Sequence, residues 1–215
     1  QANTTSGLGL DKQNLSATVY DLLLGQKRPD QVITPTAIKN LEIIPTNVEL
    51  AGAEIEMISM PDREYILKRI LVDMKYIYDY ILIDCPPSLS VLTVNALVAS
   101  DTILVPIQCE YFALEGLSQL MYTIDLIKKR LNKRLQLEGV VFTMYDPRTN
   151  LSADVVKEVK NHLADDSIYK SIIPRNVRLS EAPSHGLPIT LYDAKSKGSE
   201  AYRALAQEVI DRKVI

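Results

Sequence analysis

Four short stretches carry the side chains that could do chemistry, and each follows a run of Ile, Val and Leu. In Ile81-Leu-Ile-Asp84-Cys-Pro-Pro87 the apolar run delivers an acid and then two prolines, which forbid further regular strand pairing. A carboxylate there could hold Mg²⁺, or a water on it, beside a nucleoside triphosphate; the alternative is an Asp that caps the following turn. In Val105-Pro-Ile-Gln108-Cys-Glu110 the chain leaves an apolar run and enters a long helical pattern. Gln108 and Glu110 could touch a ligand or partner, or cap that helix and complement its dipole. Thr143-Met-Tyr-Asp146-Pro-Arg148-Thr-Asn150 and Ile173-Pro-Arg175-Asn-Val-Arg178 put arginines near helix starts, where backbone N–H groups and guanidinium forks favour phosphate. A surface arginine paired with a neighbouring acid is the plainer alternative for each.

The elements that must position these groups can be read from hydrophobic periodicity. Apolar runs at 80–83, 102–107, 137–143 and 169–173 lack alternation, as strands covered on both faces should. Helical patterns at 89–99, 113–131 and 153–163 separate them, and a last helix is predicted over 199–212. Strand and helix in alternation imply α/β architecture with a parallel sheet and right-handed crossovers, in which ligands sit beyond the carboxyl ends of the strands. All four polar stretches fall at such ends. Upstream, 1–10 reads as a loop. Ser16 is placed to cap a helix over 16–24 that Gly25 stops, and 41–45 reads as a short strand ended by Pro45. Two helical stretches, 50–58 and 62–75, are separated by Pro61 at a first-turn position.

Composition narrows the classes. The chain has 215 residues, 47% apolar and 24% charged, which suits one globular domain with a substantial core and excludes disorder. Its formal charge of −3 offers a polyanion no global attraction, so any nucleic-acid contact must come from local Arg or Lys. Lys128, Lys129, Arg130, Lys133 and Arg134 form a dense basic run, which at a helix end also offsets the dipole. The two cysteines, Cys85 and Cys109, sit in apolar text and read as buried free thiols of a reducing compartment. No apolar run approaches the roughly 18 residues of a membrane span, and the first residues carry no signal-peptide pattern. His162 and His185 have no companions at ligand spacing, and G-x-S-x-G is missing. None of the eight glycines precedes a lysine, so no G-x-x-x-x-G-K-[ST] phosphate loop occurs in these residues.

Taken together, Gln1-Ala-Asn-Thr-Thr-Ser-Gly-Leu-Gly, Leu50-Ala-Gly-Ala-Glu-Ile-Glu, Tyr80-Ile-Leu-Ile-Asp-Cys-Pro-Pro-Ser-Leu, Pro106-Ile-Gln-Cys-Glu-Tyr-Phe-Ala-Leu-Glu-Gly-Leu and Ile173-Pro-Arg-Asn-Val-Arg-Leu-Ser-Glu-Ala-Pro-Ser-His-Gly resemble, in order, the ParA/Soj partitioning ATPases of the deviant Walker A class, which are related to MinD. The resemblance covers nearly the whole chain. It implies a three-layer, doubly wound, mostly parallel sheet of the P-loop NTPase type, missing its first strand, P-loop and first helix, with 1–215 as a single incomplete domain. It implies an ATP-bound homodimer that binds DNA without sequence preference, a ParB-like protein that triggers hydrolysis, and a cytoplasmic, nucleoid-associated role in chromosome or plasmid segregation, with no membrane contact. By the same resemblance Asp84 is the Walker B acid near Mg²⁺, Pro174, Arg175 and Asn176 lie beside the adenine of ATP, Gln108 and Glu110 belong to a switch region, and Arg148 and Arg178 meet DNA.

Two departures matter. The K-G-G-x-G-K-[ST] loop is missing, and of the D-x-D-P-Q segment only Gln1 remains, so no catalytic residue is retained and the chain as written should not hydrolyse ATP. Loss of roughly one 30-residue βαβ unit from the N-terminus is the expectation, and its central strand would leave neighbours with unpaired edges. A non-catalytic interaction module that kept a dimer or partner surface is the alternative. A MinD-like membrane ATPase is disfavoured, since Val209-Ile-Asp-Arg-Lys-Val-Ile215 is not an amphipathic anchor.

Overall fold

The computed structural model describes residues 2–86 and 88–212; Gln1 and Pro87, both in motifs singled out above, lie outside the described residues, as do 213–215. The chain divides into two compact units, Gln1–Ser100 with Ala182–Pro188, and Asp101–Glu181 with Ile189–Ile215.

The first unit is mainly helical. It contains α1 (Asn3–Gly7), α2 (Val19–Leu23), α3 (Pro29–Val32), the paired two-residue strands β1 (Thr34–Pro35) and β2 (Glu42–Ile43), then α4 (Leu50–Met57), α5 (Ile66–Leu71) and α6 (Val91–Ala99). Part of the predicted opening loop is therefore helix α1. Thr5, 1% exposed, anchors it by accepting the Thr46 N–H at 3.0 Å. The cap of α2 is Thr18 rather than Ser16: its hydroxyl accepts from Tyr20 N, while Asp21 accepts from Thr18 N at 2.7 Å, a complete capping box. Residues 182–188 dock against α1 so closely that a Cβ on Gly186 would lie 2.8 Å from the Gly9 Cα.

Two further expectations in this unit need correction. The helix predicted over 62–75 is broken into a 3₁₀ turn at Arg63–Tyr65, α5, and a second 3₁₀ turn at Met74–Tyr76. The cause of the first break is Asn95, 1% exposed, whose amide donates to Arg63 O at 2.8 Å and accepts from Leu67 N at 3.0 Å. Those are the two groups an unbroken helix would join directly, so the side chain is inserted into the ladder. The strand predicted over 80–83 pairs with no strand among the described residues. Ile81 and Ile83 pack on the cluster of Leu71, Met74 and Ala99, whereas Tyr80 and Leu82 are 58% and 89% exposed. The hydrophobic pattern is present; the backbone partner that would make it a ladder is not.

The second unit is a three-layer α/β structure. Strands β3 (Thr102–Gln108), β4 (Gln136–Tyr145) and β5 (Ile168–Pro174) form a parallel sheet in the order β3-β4-β5, with α7 (Ala113–Arg130) and α8 (Asn150–His162) in the crossovers, followed by α9 (Val177–Glu181), α10 (Ile189–Tyr192) and α11 (Lys197–Arg212). The period of two divides the strand residues between two cores. Val105, Ile107, Val140 and Phe142 pack with Leu117 and Val159 of α7 and α8, while Leu104, Val141 and Ile173 pack with Leu205 and Val209 of α11.

Helix α11 is fastened to β5 through polar groups. The Glu208 carboxylate accepts the N–H groups of Lys170 at 2.8 Å and Ser171 at 2.9 Å, covering donors on the outer side of this strand. The Arg212 guanidinium donates to the carbonyls of Glu138, Asp166 and Ile168, pairs with Glu208 at 3.1 Å, and lies 3.7 Å above the Tyr169 ring. A Cβ on Gly139 would stand 2.8 Å from both Arg212 Nη1 and the Tyr169 ring, so this approach requires glycine. Glu138 is the extra residue of a bulge opposite Ile103 and Leu104, and it accepts from Thr102 Oγ1 and the Tyr169 hydroxyl.

Arg212→Ala should cost about 2–4 kcal/mol, because three carbonyls and Glu208 lose their partner together. Burial works against the Glu208 charge, but the Lys170 and Ser171 donors and Arg212 hold its carboxyl below the ordinary value of 4.5. Its stabilisation is thus complete above that value and is lost as pH falls through the lowered one. Glu208→Gln should therefore be less stable at about pH 6 and show a smaller further loss by about pH 3, read by urea unfolding at both.

Candidate functional site

Each unit holds part of the chemistry that the sequence singled out. In the first, Asp84 follows Ile83, its carboxylate exposed, and Oδ2 accepts the Thr4 hydroxyl of α1 at 2.6 Å. Nothing in the residue pattern singles out Thr4: its neighbour Thr5 turns inward and Thr4 outward, a division that only the anchored turn imposes. Cys85 is exposed, against the expectation of two buried thiols, and the segment carrying it pairs with no strand among the described residues.

In the second unit the carboxyl ends of β3, β4 and β5 bring Gln108, Glu110, Asp146 and Arg175 to one rim. Parallel pairing forces this: Cys109 N donates to Thr143 O at 3.1 Å, and Arg175 N donates to Tyr145 O at 2.9 Å, locking the three ends side by side. There a hollow of about 260 Å³ is lined by Cys109, Glu110, Met144, Asp146, Thr149 and Arg175, among others. That is just under the roughly 300–1,000 Å³ of sites enclosing a whole ligand, so the hollow suits one portion of a molecule, such as a base. Met144 reaches it with φ of +55°, a left-handed conformation that turns β4 abruptly into the loop. Neither Met144 nor Thr149 was signalled by the sequence, because backbone conformation and the approach of three loops decide their place.

The charges on this rim are paired. Arg175 Nη2 meets Glu110 Oε1 at 2.9 Å, bridging the ends of β3 and β5. Arg148 forks onto Asp146, with Nε at 2.9 Å and Nη2 at 2.6 Å from its two oxygens. The Arg148 side chain, then its backbone N–H, hold the Asp146 carboxyl far below the ordinary range. Thr149 caps α8 by accepting from Ser152 N, and Asn176 accepts from Arg178 N at 2.9 Å. Arg178 pairs with Glu181 at 2.9 Å and lies 3.6 Å from Asp193. Pro174 ends β5, in register with Tyr145, and Gln108 is exposed at the end of β3. Burial, then the neighbouring Glu110, push the Cys109 thiol up to about 11, which keeps it protonated and inert.

Among the described residues no group of three or more His, Cys, Asp or Glu converges as a metal cage. A lone carboxylate such as Asp84 fits Mg²⁺, which takes one or two carboxylates and completes its shell with phosphate oxygens and water.

A family model described as an AAA domain matches residues 1–137. The sporulation initiation inhibitor protein Soj of Bacillus subtilis (strain 168) is 54% identical over 209 residues, covering 97% of this chain and 82% of that protein. The chromosome partitioning protein ParA of Myxococcus xanthus (strain DK1622) is 48% identical over 212 residues, covering 99% of this chain and 75% of that protein. Among solved structures, cobyrinic acid a,c-diamide synthase of Mycobacterium smegmatis with bound ADP and magnesium is 36% identical at a TM-score of 0.80, covering 94% of this chain and 75% of that one. The cell division ATPase MinD of Pyrococcus furiosus, 22% identical at a TM-score of 0.78 over 98% of this chain and 81% of its own, shares the fold.

The two thiols should separate cleanly. With iodoacetamide at about pH 8, Cys85 should be alkylated at least about tenfold faster than Cys109, as mass spectrometry of the digested protein would record.

Proposed function

The chain belongs to the Soj/ParA family of chromosome-partitioning ATPases, with the α/β fold of P-loop NTPases, and on that premise we propose that it works as an ATP-dependent partitioning switch. Two ATP-bound copies form a sandwich dimer, the dimer holds DNA without sequence preference at the nucleoid, and a ParB-like protein triggers hydrolysis and release. The observation that carries this reading is the rim at the carboxyl ends of β3, β4 and β5, where an open parallel sheet takes its ligands.

On this reading Pro174, Arg175 and Asn176, with Met144, flank the base of ATP. Gln108 and Glu110 form the switch, because the Glu110–Arg175 pair joins two strand ends and can exchange for contacts to ligand. Asp84 would hold Mg²⁺ directly or through water, and its hydrogen bond to Thr4 fixes the direction in which the carboxylate points. When bound, Mg²⁺ neutralises phosphate charge and so lowers the barrier to phosphoryl transfer. No G-x-x-x-x-G-K-[ST] phosphate loop occurs among these 215 residues.

Arg148 and Arg178 are the proposed DNA contacts. Each must trade a carboxylate for a phosphate, so their affinity should be modest and sensitive to salt. Doubling the surface in a dimer offsets this through effective concentration.

In the intact protein, Asp84→Ala should lower Mg²⁺-dependent ATP turnover by on the order of a hundredfold; unaltered turnover would reduce Asp84 to a turn cap. Arg148→Glu with Arg178→Glu should abolish duplex binding while calorimetry shows ATP still bound. Unchanged duplex affinity across a salt titration would remove these two residues from the DNA surface.

A further inference from the structure

Helix α7 ends in Lys128, Lys129 and Arg130, and the turn that leads into β4 adds Lys133 and Arg134. All five side chains are exposed. Among the described residues none of them makes an ion pair or a side-chain hydrogen bond. That sets them apart from Arg148, Arg175, Arg178 and Arg212 of the same unit, each of which holds a carboxylate within 3.1 Å. The acids nearby do not compensate: Asp125, one turn back on α7, pairs with neither Lys128 nor Lys129, and both Glu138 oxygens are taken by Thr102 and Tyr169.

A helix C-terminus carries about half a negative charge, which one cation in the last turn offsets. Five cations within seven residues exceed that need severalfold and repel one another, in a chain whose net charge is −3. Folding does not ask for this cluster; an anionic partner does.

We propose that Lys128, Lys129, Arg130, Lys133 and Arg134 form a second nucleic-acid surface, one that grips the phosphate backbone of duplex DNA. It rests on the DNA-binding part of the reading above. Three properties select the duplex backbone. The segment 128–134 contains no aromatic residue on which unpaired bases could stack. Its one large apolar side chain, Leu131, is half-buried, so there is no wedge for a lipid surface. Long, mobile, unpaired cations suit a regular array of phosphates spaced about 1.7 Å apart along the axis, where each contact releases a counterion. The cluster precedes β4, at the opposite end of that strand from the Met144 hollow, so within this unit DNA can be held without obstructing the nucleotide rim.

The test is fluorescence anisotropy of the intact protein with Mg²⁺ and ATP on a labelled mixed-sequence duplex, over a salt titration. Two variants are compared with the native protein: Lys128→Gln, Lys129→Gln, Arg130→Gln together, and Lys133→Gln with Arg134→Gln. Each should lose affinity by at least about tenfold at moderate salt, and the slope of log K against log salt should become shallower by about 0.9 for each phosphate contact removed. ATP affinity and thermal unfolding should be unchanged, which separates a lost contact from a damaged fold. Native affinity and slope in both variants would overturn the proposal. So would variants that keep duplex binding but lose binding to vesicles containing anionic lipid. If these variants bind DNA normally while the Arg148/Arg178 double variant does not, the second surface fails and the partitioning reading stands; if the native protein binds no duplex even at low salt, the DNA part of that reading falls with it.

Discussion

The parallel pairing of β3, β4 and β5 is the constraint from which the rest of the second unit follows. Parallel strands cannot be joined by tight turns, so each connection must cross over through a helix, and every strand ends on the same edge of the sheet. Glu110, the Met144–Asp146 segment and Arg175, far apart in the sequence, become neighbours for that reason alone. The same pairing leaves both faces of the sheet to be covered, which α7 and α8 do on one side and α11 on the other. The network of Glu208, Arg212, Tyr169 and Glu138 then secures α11 against β5, at a point where a single Cβ on residue 139 would prevent it.

The first unit gives the complementary case. Residues 80–83 have a strand's composition, with Ile81 and Ile83 seated on a core. Among the described residues the segment pairs with no strand, and Tyr80 and Leu82 are exposed. Asp84 and Cys85 inherit that exposure. Thr4 takes part of the acid's hydrogen-bonding capacity, from a turn held by the buried threonine next to it in the chain.

Charge is distributed unevenly over the second unit, and the difference is informative. Arginines at the rim are each matched with an acid, which orders them and lowers the local field, as the Asp146–Arg148 fork shows. The cations at the end of α7 are unmatched. A paired arginine must give up one partner to gain another, whereas an unpaired lysine loses only hydration and bound salt, so the two groups would contribute differently to the salt dependence of any polyanion complex.

The sequence by itself determined the alternation of apolar runs and amphipathic helices, hence the α/β class, the positions of α6, α7, α8 and α11 to within a few residues, and the polar stretches at the strand ends. These depend on local periodicity and composition, which are written along the chain. Tertiary structure alone decided that Asn95 breaks the helix after Arg63, that Cys85 is exposed while Cys109 is buried, that Thr4 meets Asp84, and that Arg148 and Arg175 are already spoken for by acids. The reason is that each of these depends on which groups lie across space from one another, and neither periodicity nor residue type records the partner that a backbone donor or a side-chain charge will find.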